Sequence, residues 1–64
     1  GELTERELEV LRMLPSLRSQ REIADELFVS RNTVKTHLRG IYRKLGVSTR
    51  TLAVARAREL ELLE

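Results

Sequence analysis

The sequence predicts an all-α domain built as a four-helix bundle. Three observations support this prediction: apolar residues recur at helical spacing, a hydroxyl residue precedes each run, and helix-ending residues follow. The chain has 64 residues and no cysteine, so one small apolar core without disulfides must hold it together. We expect a single domain over residues 1–64, with helices at about 5–14, 20–27, 31–45 and 49–62.

The first two predicted helices each begin with a capping box. Thr4 is followed three residues later by Glu7, and Ser19 by Glu22, so that each hydroxyl and carboxylate can bind a free backbone N–H. Pro15 ends the first helix because it lacks the N–H that helical bonding requires. The inner faces are expected to carry Leu3, Val10, Leu11, Leu14, Ile23, Ala24 and Leu27.

The third predicted helix is the longest. Ser30 caps it, Gly46 stops it, and its apolar stripe falls at i, i+4, i+7 and i+11, on Val34, Leu38, Ile41 and Leu45. A short helix, a three-residue turn and a longer helix packed on the small Ala24 form the pattern of a helix-turn-helix. The predicted fold is thus a four-helix bundle containing a helix-turn-helix. Gly40 weakens the long helix by about 1 kcal/mol relative to Ala, and the sequence gives no reason for it.

Charge is distributed unevenly along the chain. Residues 27–58 contain no Asp or Glu, although the net charge of the chain is only +2. The cations of this segment are Arg31, Lys35, Arg39, Arg43, Lys44, Arg50, Arg56 and Arg58. Such a run indicates a polyanionic partner, with nucleic acid the first candidate, although basic helices also occur as merely solvated surfaces. The face of helix 3 opposite its apolar stripe collects Asn32, Thr36, Arg39 and Arg43, with Lys35 and Gly40 at its edges.

Two further features point to contacts between elements. Glu7 lies on the inner face of helix 1, where it is expected to pair with Arg50 or Lys44. Helix 4 carries a second apolar face, formed by Leu52, Ala55, Leu62 and Leu63, which predicts that this face contacts a partner. The alternative is that the last turn frays and its leucines fold back on the domain.

Several short motifs occur together in a recognisable order. They are Leu3–Glu7, Glu22–Ala24, Val29–Ser30, Thr33–His37 and Lys44–Val47, followed by Arg50 and Ala53. Together they resemble the DNA-binding domain of LuxR-type bacterial transcription regulators over almost the whole chain. Leu17 departs from this family's pattern, because these domains often have glycine there, and Phe28 stands where many helix-turn-helices have glycine.

The resemblance implies that helix 3 enters the major groove of double-stranded DNA and that helix 4 mediates a homodimer. By position it implies that Lys35, Thr36 and Arg39 face the bases. Arg31, Asn32, Thr33, Arg43 and Lys44 would then hold the DNA backbone. RNA polymerase is a further partner that a bacterial transcription regulator of this kind could contact. A cytoplasmic location in a bacterium is expected, and the chain is expected to be a fragment of a longer protein.

The sequence allows two other interpretations of the basic face. One is a promoter-binding domain like region 4 of a sigma factor, and the other is a protein-interaction module that meets an acidic partner. An enzyme is not expected, because His37 has no acid–base partner and the chain offers no nucleophile–base pair. The common zinc sites are excluded by one histidine and no cysteine, and we predict no metal, no cofactor and no membrane segment.

Overall fold

Four α-helices make up the structure, a computed structural model that describes residues 2–63. They are α1 (Glu5–Met13), α2 (Gln20–Leu27), α3 (Arg31–Leu45) and α4 (Arg50–Glu59), and no strand occurs among these residues. The predicted all-α class is confirmed. The bounds of α2 and α3 coincide with those predicted, α1 ends one residue early, and α4 is shorter at both ends. Residues 1 and 64 of the predicted domain lie outside the described residues.

Both predicted capping boxes are present. The Glu7 N–H donates to Thr4 Oγ1 at 3.1 Å, and the Thr4 N–H donates to Glu7 Oε1 at 2.9 Å. Ser19 and Glu22 make the same pair of bonds at 3.1 and 2.8 Å. The other two helices have a single hydroxyl cap each, Ser30 for α3 and Thr49 for α4. All four helices therefore start where a side-chain oxygen binds an otherwise free N–H.

Three helices are followed, within two residues of their last residue, by a residue in the left-handed backbone region. In each case the N–H of the following residue donates to the carbonyl five residues before it, at 3.0, 2.9 and 2.8 Å for α2, α3 and α4. The left-handed residues are Phe28 (φ 58°), Gly46 (φ 70°) and Glu61 (φ 59°). Only Gly46 adopts this conformation without steric penalty, and only this stop was predicted.

The end of α4 differs from the prediction of a helix through residue 62. The helix stops at Glu59, and the left-handed Glu61 turns the chain so that the Leu62 N–H bonds to the Ala57 carbonyl. This reversal brings Leu62 and Leu63, both half-buried, against the core. These two leucines therefore fold back on the domain, as the alternative prediction had it, and do not extend the outer face of α4.

The core lies between α3 and the other three helices, since α3 packs against each of them. The apolar stripe of α3 is buried along its whole length, as predicted. The rest of the buried apolar core comes from the other three helices and from Leu14, which directly follows α1. These residues are Val10, Leu11, Leu14, Ile23, Ala24, Ala53 and Ala57. Because α4 contributes only alanines to the fully buried set, its backbone can approach closely. The opposite side of α3 is exposed within residues 2–63.

Replacing Phe28 with glycine should stabilise the domain. The Phe28 side chain is 95% exposed, so little packing is lost, and a left-handed conformation costs a side-chain-bearing residue roughly 1–2 kcal/mol. Part of that gain is offset by the greater freedom of glycine in the unfolded chain, about 0.5–1 kcal/mol. We expect a net gain of about 0.5–1 kcal/mol in the free energy of unfolding, measured by urea titration.

The matched control is Leu17→Gly, at a residue that is also fully exposed but is not in the left-handed region. This change should be neutral or destabilising, because only the entropic effect of glycine remains. Destabilisation by Phe28→Gly would mean that the phenyl ring makes a contact that outweighs the backbone strain.

Candidate nucleic-acid interface

A line of four cations runs along the solvent side of α3. Arg31, Lys35, Arg39 and Arg43 are all exposed and follow one another at intervals of four residues, and we call them the basic ridge. At 1.5 Å per residue the ridge spans about 18 Å. Asn32 and Thr36 are exposed beside it. The structure therefore brings most of the residues predicted to contact DNA together on the exposed side of α3.

The basic ridge has no acidic partner among residues 2–63. The ion pairs of this part of the chain involve Arg6, Arg18, Lys44 and Arg56, and none includes a ridge residue. The first turn of α3 also contains no acidic residue. The positive potential of the ridge is thus left uncompensated on the helix that carries it.

The amino-terminal turn of α3 adds to this potential. Free N–H groups and the helix dipole make a helix start attractive to phosphate. The Thr33 N–H is already bonded to Ser30 Oγ at 3.1 Å, and the two hydroxyls lie 2.9 Å apart. Thr33 is half-buried, so its hydroxyl is less accessible than the side chains of Arg31 and Asn32.

Thr36 is oriented by the helix itself. Its hydroxyl lies 3.0 Å from the Asn32 carbonyl, to which it donates. Toward a base, Thr36 can therefore offer an acceptor oxygen or its methyl group but not its proton. Lys35 and Arg39 form no ion pair among residues 2–63 and keep their donors for a ligand.

Lys44 lies apart from the ridge. Its Nζ is 2.7 Å from Glu7 Oε1, and its side chain is only 17% exposed. The predicted pairing of Glu7 with Lys44 is confirmed, and it directs the ammonium toward α1. That geometry gives Lys44 a bond inside the fold, whereas its predicted contact with the DNA backbone stays a prediction.

Arg50, the other candidate partner of Glu7, has a different role. Its Nε donates to the Leu14 carbonyl and its Nη2 to the Ser16 carbonyl, both at 3.0 Å. The guanidinium thereby ties the start of α4 to the loop that follows α1. No sequence pattern signals this contact, because the acceptors are backbone carbonyls that any residue would offer.

The Glu7 carboxylate is held in its charged form. Burial alone would raise the pKa of Glu7, but the Lys44 ammonium and the Thr4 N–H outweigh it and lower the pKa below its ordinary value of 4.5. In the unfolded chain the carboxyl would take up a proton more readily. Glu7 therefore stabilises the fold most where it is ionised.

This asymmetry predicts a loss of stability in acid. The contribution of Glu7 should be complete above pH 4.5, decline as the pH falls below that value, and vanish once the pH has passed the lowered pKa. We expect the thermal midpoint of Glu7→Gln to lie a few degrees below that of the parent at pH 7 and to converge on it in acid. A gap between the two that stays constant with pH would contradict this assignment.

Within residues 2–63 no cluster of histidine and acidic side chains could hold a metal ion. No helix of this part of the chain is long and apolar enough to cross a bilayer.

Comparison with known proteins fits this geometry. Residues 1–57 match the family described as bacterial regulatory proteins, luxR family. The structure of the response regulator ChrA of a heme-sensing two-component system superposes with a TM-score of 0.93 and 48% identity. That match covers 97% of this chain and 31% of ChrA, so the chain spans about a third of the length of that protein.

The structure of the transcription factor GerE gives a TM-score of 0.89 at 35% identity. This match covers 97% of this chain and 92% of GerE. The family and the fold are those of DNA-binding regulators rather than of enzymes. The chain belongs to the luxR family of bacterial regulatory proteins, and it is a helix-turn-helix domain of a DNA-binding transcription regulator.

Proposed function

We propose that this domain reads a specific double-stranded DNA sequence with α3 in the major groove. The observation that carries the proposal is the basic ridge, which is exposed and uncompensated on a helix whose other side is locked in the core. An α-helix fits the major groove of B-DNA, which is about 12 Å wide. The 15 residues of α3 extend about 22 Å, enough to reach from the base edges to the flanking phosphates.

The contacts divide into two kinds. Lys35, Thr36 and Arg39 lie in the middle part of α3 and are proposed to face the bases, where Arg or Lys can donate to guanine O6 and N7. Arg31, Asn32 and Arg43 are proposed to bind phosphates, which fix the register without reading sequence. Thr33 and Lys44 are weaker candidates for the backbone, since their polar groups are already bonded to Ser30 and Glu7.

We also propose that two copies bind together through α4. Leu52 is 50% exposed and Ala55 is exposed on its outer face, which supplies apolar surface for a second copy. A two-fold dimer would place its two α3 helices in successive major grooves, about 34 Å apart, and would require an inverted-repeat site. RNA polymerase is a further proposed partner at a promoter, and we propose no enzymatic activity for the domain.

Selection of bound duplexes from a random oligonucleotide pool tests the function directly. We expect enrichment of one motif arranged as an inverted repeat. Binding that is sensitive to salt but enriches no sequence would overturn the reading of a specific sequence, because phosphate contacts alone produce it, and failure to bind any duplex would favour an acidic protein partner. An enriched motif without symmetry would overturn the dimer and favour a mode like that of sigma-factor region 4.

The selection has a matched pair of variants. Lys35→Ala removes a cation of the basic ridge, whereas Arg12→Ala removes an exposed cation of α1 and changes the net charge equally. The Arg12 variant should recover the parent motif. The Lys35 variant should recover a motif that is degenerate at one or more positions.

A further inference from the structure

Glu7 is a charged residue buried in the contact between α1 and α3. Its relative exposure is 6%, and it is the only charged or polar residue among residues 2–63 that is buried to this degree. One carboxylate oxygen, Oε1, accepts from the Thr4 N–H and from the Lys44 ammonium. The other oxygen, Oε2, points at the backbone of α3 at Gly40.

Gly40 is shaped to receive this carboxylate. A Cβ atom built on Gly40 would collide with Glu7 Oε2, at a separation that real Cβ atoms do not show. This contact explains a glycine in the middle of a long helix, where alanine would be the better helix former. The missing side chain is the space that the Glu7 carboxylate occupies.

The carboxylate cannot easily move aside for a larger residue. Glutamate is normally flexible, but here Oε1 is fixed at 2.9 Å from the Thr4 nitrogen and 2.7 Å from Lys44 Nζ. Turning the group would break the capping box of α1 or the ion pair with α3. Because the site is buried, water could not readily replace the lost bonds.

These two contacts hold α3 at points about one helical turn apart. Gly40 directly follows Arg39, and Lys44 directly follows Arg43, so each contact lies next to a residue of the basic ridge. Recognition of base edges requires side chains to be held within about 0.5 Å and 10–20° of the productive geometry. A small shift of α3 would therefore affect base contacts more than contacts with phosphates.

We propose that Glu7 is a positioning residue for DNA recognition. Through the bare backbone at Gly40 and the ammonium of Lys44, it sets the depth at which Lys35 and Arg39 reach the base edges. Glu7 itself touches no DNA in this arrangement. The inference rests on the proposed function and adds to it a residue on α1 that controls specificity from behind the reading helix.

Gly40→Ala is the first test, because it leaves the charge of the domain unchanged. Affinity is measured for the selected site and for an unrelated duplex of the same length. We expect the ratio of the two affinities to fall roughly tenfold, mostly because the affinity for the selected site decreases. The thermal midpoint should fall too, despite the better helix propensity of alanine. An unchanged ratio with a raised midpoint would overturn the proposal.

The double variant Glu7→Ala with Gly40→Ala identifies the cause. If Glu7 is the obstacle, adding Gly40→Ala to a Glu7→Ala chain should change the affinity ratio less than about twofold and should raise the thermal midpoint. A Gly40→Ala penalty of the same size in both backgrounds would show that another contact is responsible, and the proposal would fail.

Glu22 provides the matched control for Glu7. It closes the same kind of capping box with Ser19, but it is exposed and forms no ion pair with another helix among residues 2–63. Glu7→Ala should lower the affinity ratio, whereas Glu22→Ala should lower only the thermal midpoint. Glu7→Gln keeps the shape and an acceptor, so it should retain most of the ratio. If the two alanine variants lost the same share of the affinity ratio, Glu7 would act only as a helix cap and the proposal would fail.

An experiment without DNA separates this inference from the proposed function. Amide chemical shifts of α3 should change along its length in Gly40→Ala and return toward the parent in the double variant. If the chemical shifts change in this way while no DNA sequence is selected, the contact between Glu7 and Gly40 is supported and the proposed function fails. If a site is selected but the shifts and the ratio are unaffected, only the positioning role fails.

Discussion

Leu11→Ala should leave a large part of the domain unfolded at room temperature. Leu11 is fully buried on α1, and truncating a buried leucine costs about 2–5 kcal/mol. A single core in a chain of this size rarely supplies more than about 3–5 kcal/mol of stability. The loss is therefore comparable with the whole free energy of unfolding. Circular dichroism during urea titration measures it.

Leu17→Ala makes the same chemical change at a side chain that is fully exposed in the loop after α1. We expect its free energy of unfolding to stay within about 0.5 kcal/mol of the parent. A cooperative transition at the parental midpoint in Leu11→Ala would contradict the assigned core. A large loss in Leu17→Ala would mean that the loop packs against something in solution.

Arg39→Ala is expected to have the largest effect on recognition. Its guanidinium lies in the middle of the basic ridge and has no acidic partner among residues 2–63, so all of its donors are available to a base. Loss of a bidentate contact with guanine should cost about 1–3 kcal/mol at the selected site and relax the preference at one base pair. Competition titrations with single-base variants of the site measure both effects.

Arg43→Ala removes the same side chain from the same helix one turn later. If Arg43 binds phosphate, its loss should weaken binding to all sequences alike and reduce the slope of log affinity against log salt by about one. Arg39→Ala should thus change the sequence preference, whereas Arg43→Ala should change the overall affinity and its salt dependence. Identical behaviour of both across sequences and salt concentrations would contradict the division of α3 into base-reading and phosphate-binding parts.

Much of the fold could be predicted because its helices are delimited by local interactions. The caps at Thr4, Ser19 and Ser30 bond to N–H groups three residues away, so the residues that define a boundary stand together in the sequence. The stop at Glu61 was missed for the opposite reason. Its left-handed conformation carries no glycine signal, and a helical pattern of leucines continues past it.

The candidate site was predictable in part. The basic ridge follows from helical periodicity once the buried stripe of α3 is known, and the exposure of its residues agrees with that reasoning. The spatial separation of Lys44 from the ridge depends on which carboxylate of another helix comes within reach. The sequence narrowed the partner of Glu7 to Arg50 or Lys44, and the packing of α1 on α3 selected Lys44.

By itself the sequence determined the helix class, the starts of the first three helices, the apolar stripe and the cationic face, because these depend on residues within a few positions of each other. Tertiary structure alone decided the partner of Glu7, the reason for Gly40, the hold of Arg50 on the loop after α1, and the return of Leu62 and Leu63 to the core. The physical reason is distance along the chain. Glu7 and Lys44 are 37 residues apart, and Arg50 and Leu14 are 36 apart, so no local pattern records that folding brings them into contact.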